Sequence, residues 1–155
     1  MATSVVPALI DALVSAATAA LPSTRVSDGI GATDDPGDFL MIGVEDPDIE
    51  GAAFSADTRQ DWASVGTGAP RDEQGEITCV AVSWNGNGPE GAKAARDAAY
   101  ATAAAVENLL RATPSLGVDG LLWTGFGSSS QLSQAQGPAG ASALLVFRIN
   151  FRARI

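Results

Sequence analysis

Three stretches of this sequence have residue types and spacings that could do chemistry. Gly86-Asn-Gly88-Pro-Glu-Gly91 spells G-x-G-x-x-G between a predicted strand and a predicted helix, the setting a dinucleotide pyrophosphate needs. Pro89 lacks an N–H where backbone donors should cradle phosphate, and Glu90 puts a carboxyl beside it. No Asp or Glu closes the following strand to hold a ribose. The pattern therefore reads as a tight turn whose helix is opened by proline. Asp46-Pro-Asp48-Ile-Glu50-Gly51, with Asp57 after it, has the ligand spacing of an EF-hand loop. A strand precedes it instead of a helix, and Asp stands where the longer Glu belongs, so the stretch is expected to be a solvated acidic loop. Asp34, Asp35 and Asp38 crowd one turn with no base or apolar pocket in view.

The rest of the composition narrows the chemistry further. The chain has no histidine and one cysteine, Cys79. Ser-His-Asp and Cys-His nucleophiles, Cys-rich zinc sites and an internal disulfide all drop out. No catalytic, metal or cofactor residue is assigned, and the protein is expected not to be an enzyme. Eighteen acids against nine bases give a net charge of -9, which opposes binding to phosphate backbones and anionic membranes. DNA would pass such a surface without being held. No apolar run is long enough for a transmembrane helix. The N-terminal apolar stretch has no preceding Lys or Arg and is broken by Asp11, so it is not read as a signal peptide.

These residues must be positioned by one domain, residues 1–155. Residues 4 to 21 predict an amphipathic helix, with Ser4 as N-cap, Pro7 in the first turn and Pro22 as its stop. Phe39–Val44 is a short buried strand. Residues 52 to 72 read as a strand or hairpin with a mobile loop near Gly66–Pro70. Glu76–Trp84 is a strand apolar on both sides, hence central. A helix follows from Pro89 to about Arg111, with Ala95, Ala98, Ala99, Thr102, Val106, Leu109 and Leu110 on one broad face. Leu121–Phe126 is a strand and Ser128–Ala139 a Gln/Ser/Gly-rich loop. Residues 141 to 155 form the longest strand, in which Phe147, Ile149, Phe151 and Ala153 alternate with Arg148, Asn150, Arg152 and Arg154. The order predicts an α+β fold: a mixed or antiparallel sheet packed against two helices.

Function is then expected at surfaces. Arg148, Arg152 and Arg154 are the positive cluster, fit for ion pairs within the sheet or for an acidic face of a neighbouring subunit. Phe54 and Trp62 are candidate interface anchors on a segment that orders on docking. Trp62, Trp84 and Trp123 are core or interface residues and not a base-stacking platform, since no basic residues interleave with them. The long C-terminal strand is expected to offer an exposed edge to a second copy.

Five stretches, in order, carry a resemblance: "VVPALIDALVSAATAALP", "DFLMIGVEDPD", "RDEQGEITCVAVSW", "ARDAAYATAAAVENLLRATPSLG" and "GASALLVFRINFRARI". Together they resemble the tail terminator (tail completion) proteins of long-tailed bacteriophages, those of actinobacterial hosts in particular. That resemblance implies an α+β fold and a ring, usually a hexamer, which caps the head-proximal end of the tail tube and ends its polymerisation. It implies as partners copies of the chain itself, the tail tube protein and the head-tail connector protein. It also implies a place in the virion, in a particle assembled in the host cytoplasm. The alternatives are a head-closure or connector protein, a tail tube protein, and, remotely, a small nucleotide-binding protein using Gly86–Gly91. A tube subunit is disfavoured by the two helices, one near each end, and by the lack of a long repeated hairpin.

Overall fold

The computed structural model describes residues 3–31, 36–45, 54–66 and 68–155, with only the backbone of Pro89. The chain runs α1 (Val6–Ala20), β1 (Arg25–Asp28), β2 (Phe39–Ile42), β3 (Ala56–Trp62), β4 (Arg71–Asn85), a 3-10 turn (Gly88–Glu90), α2 (Gly91–Ala112), β5 (Leu121–Gly137) and β6 (Gly140–Arg154). This is the α+β fold expected: one mixed six-stranded sheet with two helices.

Helix α1 forms where Leu9, Leu13 and Ala17 recur every four residues and bury one stripe. Its N-terminus differs from expectation. The cap residue is Val5, not Ser4, and no side chain of its own caps the helix. Ser4 Oγ accepts the Val6 N–H at 3.1 Å, while the Val5 N–H goes to Glu73 on β4. Helix α2 buries Gly91, Ala95, Ala99, Thr102, Ala103, Val106 and Leu110. Its small residues let it lie close to the sheet.

The strand order is β1-β2-β4-β6-β5, with β1 parallel to β2 and every other pair antiparallel. β4 is the spine. β6 pairs with it from Asp72 to Asn85. On its other side, β3 takes Arg71–Ile77 and β2 takes Cys79–Val82. Ile77, Cys79 and Ala81 of β4 and Ala143, Leu145, Phe147, Ile149, Phe151 and Ala153 of β6 point to the helices and form the core with them. Phe126 and Phe147 stack there, centroids 4.9 Å apart. The opposite face carries a smaller apolar cluster around Val44, Val80 and Val146 and, towards the other end, the arginine row.

Two expectations are corrected. Ser128–Ala139 is not a loop up to its last two residues: β5 continues through Gly137, paired to β6 from Ser130↔Phe147 to Gly137↔Gly140 after a bulge. Ser, Gln and Gly gave no alternation because both sides of this half-strand face solvent. Its order comes from β6's backbone and not from burying side chains. The second correction concerns β6, which is no edge, since β4 and β5 occupy both of its sides. The edge is β5. The hairpin expected over 52 to 72 is present as β3 and β4.

Candidate subunit-docking surface

β5 presents the first surface. Among the described residues it pairs on one side only, and over 17 residues, LLWTGFGSSSQLSQAQG, it has no charge and no proline. Sheet edges are ordinarily blunted by charged side chains, proline or shortness. The other edge strands follow that rule. β1 is four residues long with Arg25 and Asp28, and β3 carries Asp57, Arg59 and Asp61. β5 does not follow it, and Ser128 to Gly137 are exposed throughout.

The helix-free face of the sheet is the second surface. Register places Arg59, Gln74, Arg152 and Trp123 side by side across β3, β4, β6 and β5. The next row is Asp57, Glu76, Asn150 and Gly125. All of these but Gly125 line a shallow groove of about 430 Å³. The Trp123 indole lies over Gly125, where a Cβ would collide with the ring. Trp123 remains 45% exposed.

The expected site residues fall on different surfaces. Arg148, Arg152 and Arg154 share the open face, as the alternation required. Arg148 sits 3.1 Å from Glu76. Arg154 makes two hydrogen bonds to Asp72, at 2.8 and 3.2 Å. That hydrogen bond, helped by the charges of Arg154 and Arg152 against slight desolvation, holds the Asp72 carboxyl below its ordinary value. Two of the three arginines therefore serve the sheet itself, and Arg152 is left to the groove. Trp62 is 69% exposed, with the Arg71 guanidinium 5.5 Å from its ring centroid. Its register with Arg71 puts it on the helix-bearing side, facing away from the arginine row. Phe54 is 63% exposed; its carbonyl accepts the Thr78 hydroxyl at 2.8 Å. Neither aromatic lines the groove. The sequence places Trp123 among core or interface residues without assigning it to a site, and it raises no expectation of an edge at β5. The uncharged run from Leu121 to Gly137 was the signal in the sequence that could have marked the edge.

The motifs that could carry chemistry have local explanations. Gly88 turns the chain at φ 62°. Asn85 Oδ1 accepts the Asn87 N–H at 2.9 Å. A Cβ at Gly86 would meet the Trp84 ring at 2.8 Å, and one at Gly91 would meet the Asn85 carbonyl at 3.0 Å. The glycines thus fold the turn around Asn85 and Trp84. Asp38 accepts the Ser83 hydroxyl at 2.5 Å, while Asp34 and Asp35 lie outside the described residues, as does 46–53 of the calcium-like stretch. Asp57, the last member of that stretch, stands on β3 opposite Glu76. Among the described residues no helix is long and apolar enough to cross a membrane, and no three His, Cys, Asp or Glu residues gather as metal ligands.

With this geometry the fold has a counterpart among solved structures. A chain described as "Virion of native gene transfer agent (GTA) particle" superposes on 98% of this chain and 100% of its own length, with TM-score 0.51 and 16% identity. At that identity the likeness is one of fold. No protein family model matches the sequence, and no curated protein does.

Proposed function

We propose that this chain is a structural virion subunit that assembles with copies of itself into a ring and terminates a phage tail tube at its head-proximal end. The observation that carries the reading is β5: a long, uncharged sheet edge with the backbone groups of one side unpaired. Such an edge is a template for a neighbour's strand. A head-to-tail contact made there closes into a ring when the rotation permits. The partner in fold is a virion chain of similar extent, and the resemblance of the five stretches points to a terminator. At -9 per subunit, a ring would repel DNA in its channel and let it pass. The role needs no catalysis and no cofactor. The ring would meet the tube protein on one side and the head connector on the other.

One observation favours a second reading. The β5–β6 hairpin is long, with strands of 17 and 15 residues, which removes one of the two arguments against a tail tube subunit; the other, the two helices, stands. The two readings differ in growth, because a tube subunit polymerises without limit and a terminator stops. The purified chain, added to polymerising tube protein and viewed by negative-stain electron microscopy, should give shorter tubes with one blunt, capped end. Tubes of unchanged length with no bound density would overturn the proposal. Tubes built from this chain alone would establish the second reading. Density at the portal of heads and none at tubes would make it a connector.

A further inference from the structure

Arg152 stands apart from the other cations. Of the nine Lys and Arg side chains, eight are engaged within the chain. Lys93 and Arg96 meet Asp97; Arg111 meets Glu107; Arg59 meets Asp61; Arg148 meets Glu76; and Arg154 meets Asp72. Arg25 lies over Phe39, and Arg71 binds Gln60 and lies over Trp62. Among these cations Arg152 makes no hydrogen bond or ion pair with the described residues, although its charge helps hold the Asp72 carboxyl down. In a chain with twice as many acids as bases, a cation left over in a groove calls for a carboxylate from outside.

We propose that Arg152 and Trp123 form a carboxylate-binding site for a second copy of this chain, occupied by its acidic stretch Glu45-Asp-Pro-Asp-Ile-Glu50. The proposal rests on the reading that the chain meets copies of itself, and it names the contact. The planar guanidinium suits two parallel hydrogen bonds to a carboxylate. The Trp123 indole, next to it in register, supplies an apolar wall that removes water from the pair on docking. Gln74 and Asn150 flank Arg152 with amide donors. At the far end of the groove, Asp57 and Glu76 repel a second carboxylate and so fix the end at which the ligand enters. The stretch from Glu45 to Glu50 holds four acids in six residues, and Glu45 is exposed just past β2.

The test uses the full chain and a fluorescein-labelled synthetic peptide of its residues 43–52, followed by anisotropy at low and high salt. Binding should weaken with salt and shift the tryptophan emission. R152Q and W123A should each weaken binding by about tenfold or more, whereas R154Q, whose cation is already engaged, should change it by less than about threefold. R152K should restore part of the loss. Equal binding by wild type and R152Q, or by a peptide with Asn and Gln in place of the acids, overturns the site. Equal binding of a scrambled acidic peptide overturns the assignment of the second copy. A chain that caps tubes without binding the peptide loses only this inference. A chain that binds the peptide through Arg152 and does not cap tubes loses only the terminator reading.

Discussion

Glu73 Oε2 accepts the backbone N–H of Val5 at 2.8 Å, so the first turn of α1 is capped from β4, 68 residues away in sequence. The other carboxyl oxygen takes the Ser4 hydroxyl at 2.6 Å and the Gln60 amide at 3.1 Å. Glu73 is 1% exposed. A carboxyl here satisfies donors that a helix end leaves unpaired, and it sits where the helix dipole favours negative charge. Glu73→Ala leaves the Val5 N–H buried without a partner and takes one acceptor from the Ser4 hydroxyl and the Gln60 amide. It is expected to lower stability by about 2–4 kcal/mol, read by urea denaturation, with Glu73→Gln losing less. A loss within about 0.5 kcal/mol of wild type would show that the cap is not structural.

The Asp72–Arg154 pair should make a small part of stability depend on pH. The folded carboxyl lies below its ordinary value of 3.8. Its contribution is therefore present above about pH 4 and is lost as pH falls through the depressed folded value. The pair is exposed, so the effect is small and screened by salt. Asp72→Asn should narrow the stability difference between pH 6 and pH 3 at low ionic strength and leave it unchanged in concentrated salt. Denaturation midpoints across that range check both statements.

What the sequence revealed follows from where burial imposes a period. Leu9, Leu13 and Ala17 betray α1, and Phe147, Ile149, Phe151 and Ala153 betray β6, because each set must face one core. The outer half of β5 has no such obligation, so Ser128 to Gly137 read as a loop although every residue from Ser130 onward has a register partner on β6. Strand order is also hidden: nothing within residues 140 to 155 tells that both sides of β6 are taken. The meeting of Trp123 with Arg152 depends on a register shift between Leu121 and Trp123, which local pattern does not encode. Glu73, within Arg-Asp-Glu-Gln-Gly-Glu, looks like one more surface charge until α1 is docked on it.

Cys79 offers a readout of unfolding. It is fully buried in the core between β2 and β6, and burial pushes its thiol from 9.0 up to about 12, against a weaker opposing hydrogen bond from the Gly43 backbone. The native thiol should therefore resist iodoacetamide at pH 8, reacting more than about a thousandfold slower than in urea-unfolded chain. The sign of the linkage follows from the raised value. The stabilisation is complete below pH 9 and drains away as pH rises towards 12, because the unfolded thiol ionises first. Cys79→Ala should remove that alkaline limb. Rapid native labelling would mean that the core between β2, β4 and β6 opens without global unfolding.

The β5 edge should govern assembly and not folding. Ser133 and Ala135 lie on its exposed half and pair only with Leu144 and Ser142 of β6. Lysine at both positions adds charge to an edge that has none, the device by which sheet edges avoid neighbours. Because both sites are already exposed, Ser133→Lys/Ala135→Lys should stay within about 1 kcal/mol of wild-type stability, measured by thermal and urea denaturation. The same variant should lose self-association by mass photometry in the presence of tube protein and should no longer shorten tubes. Asp61→Lys on the β3 edge, which is already charged, serves as the control and should assemble as wild type does. Normal assembly of the double-lysine variant would show that β5 is not the contact that the proposed ring requires.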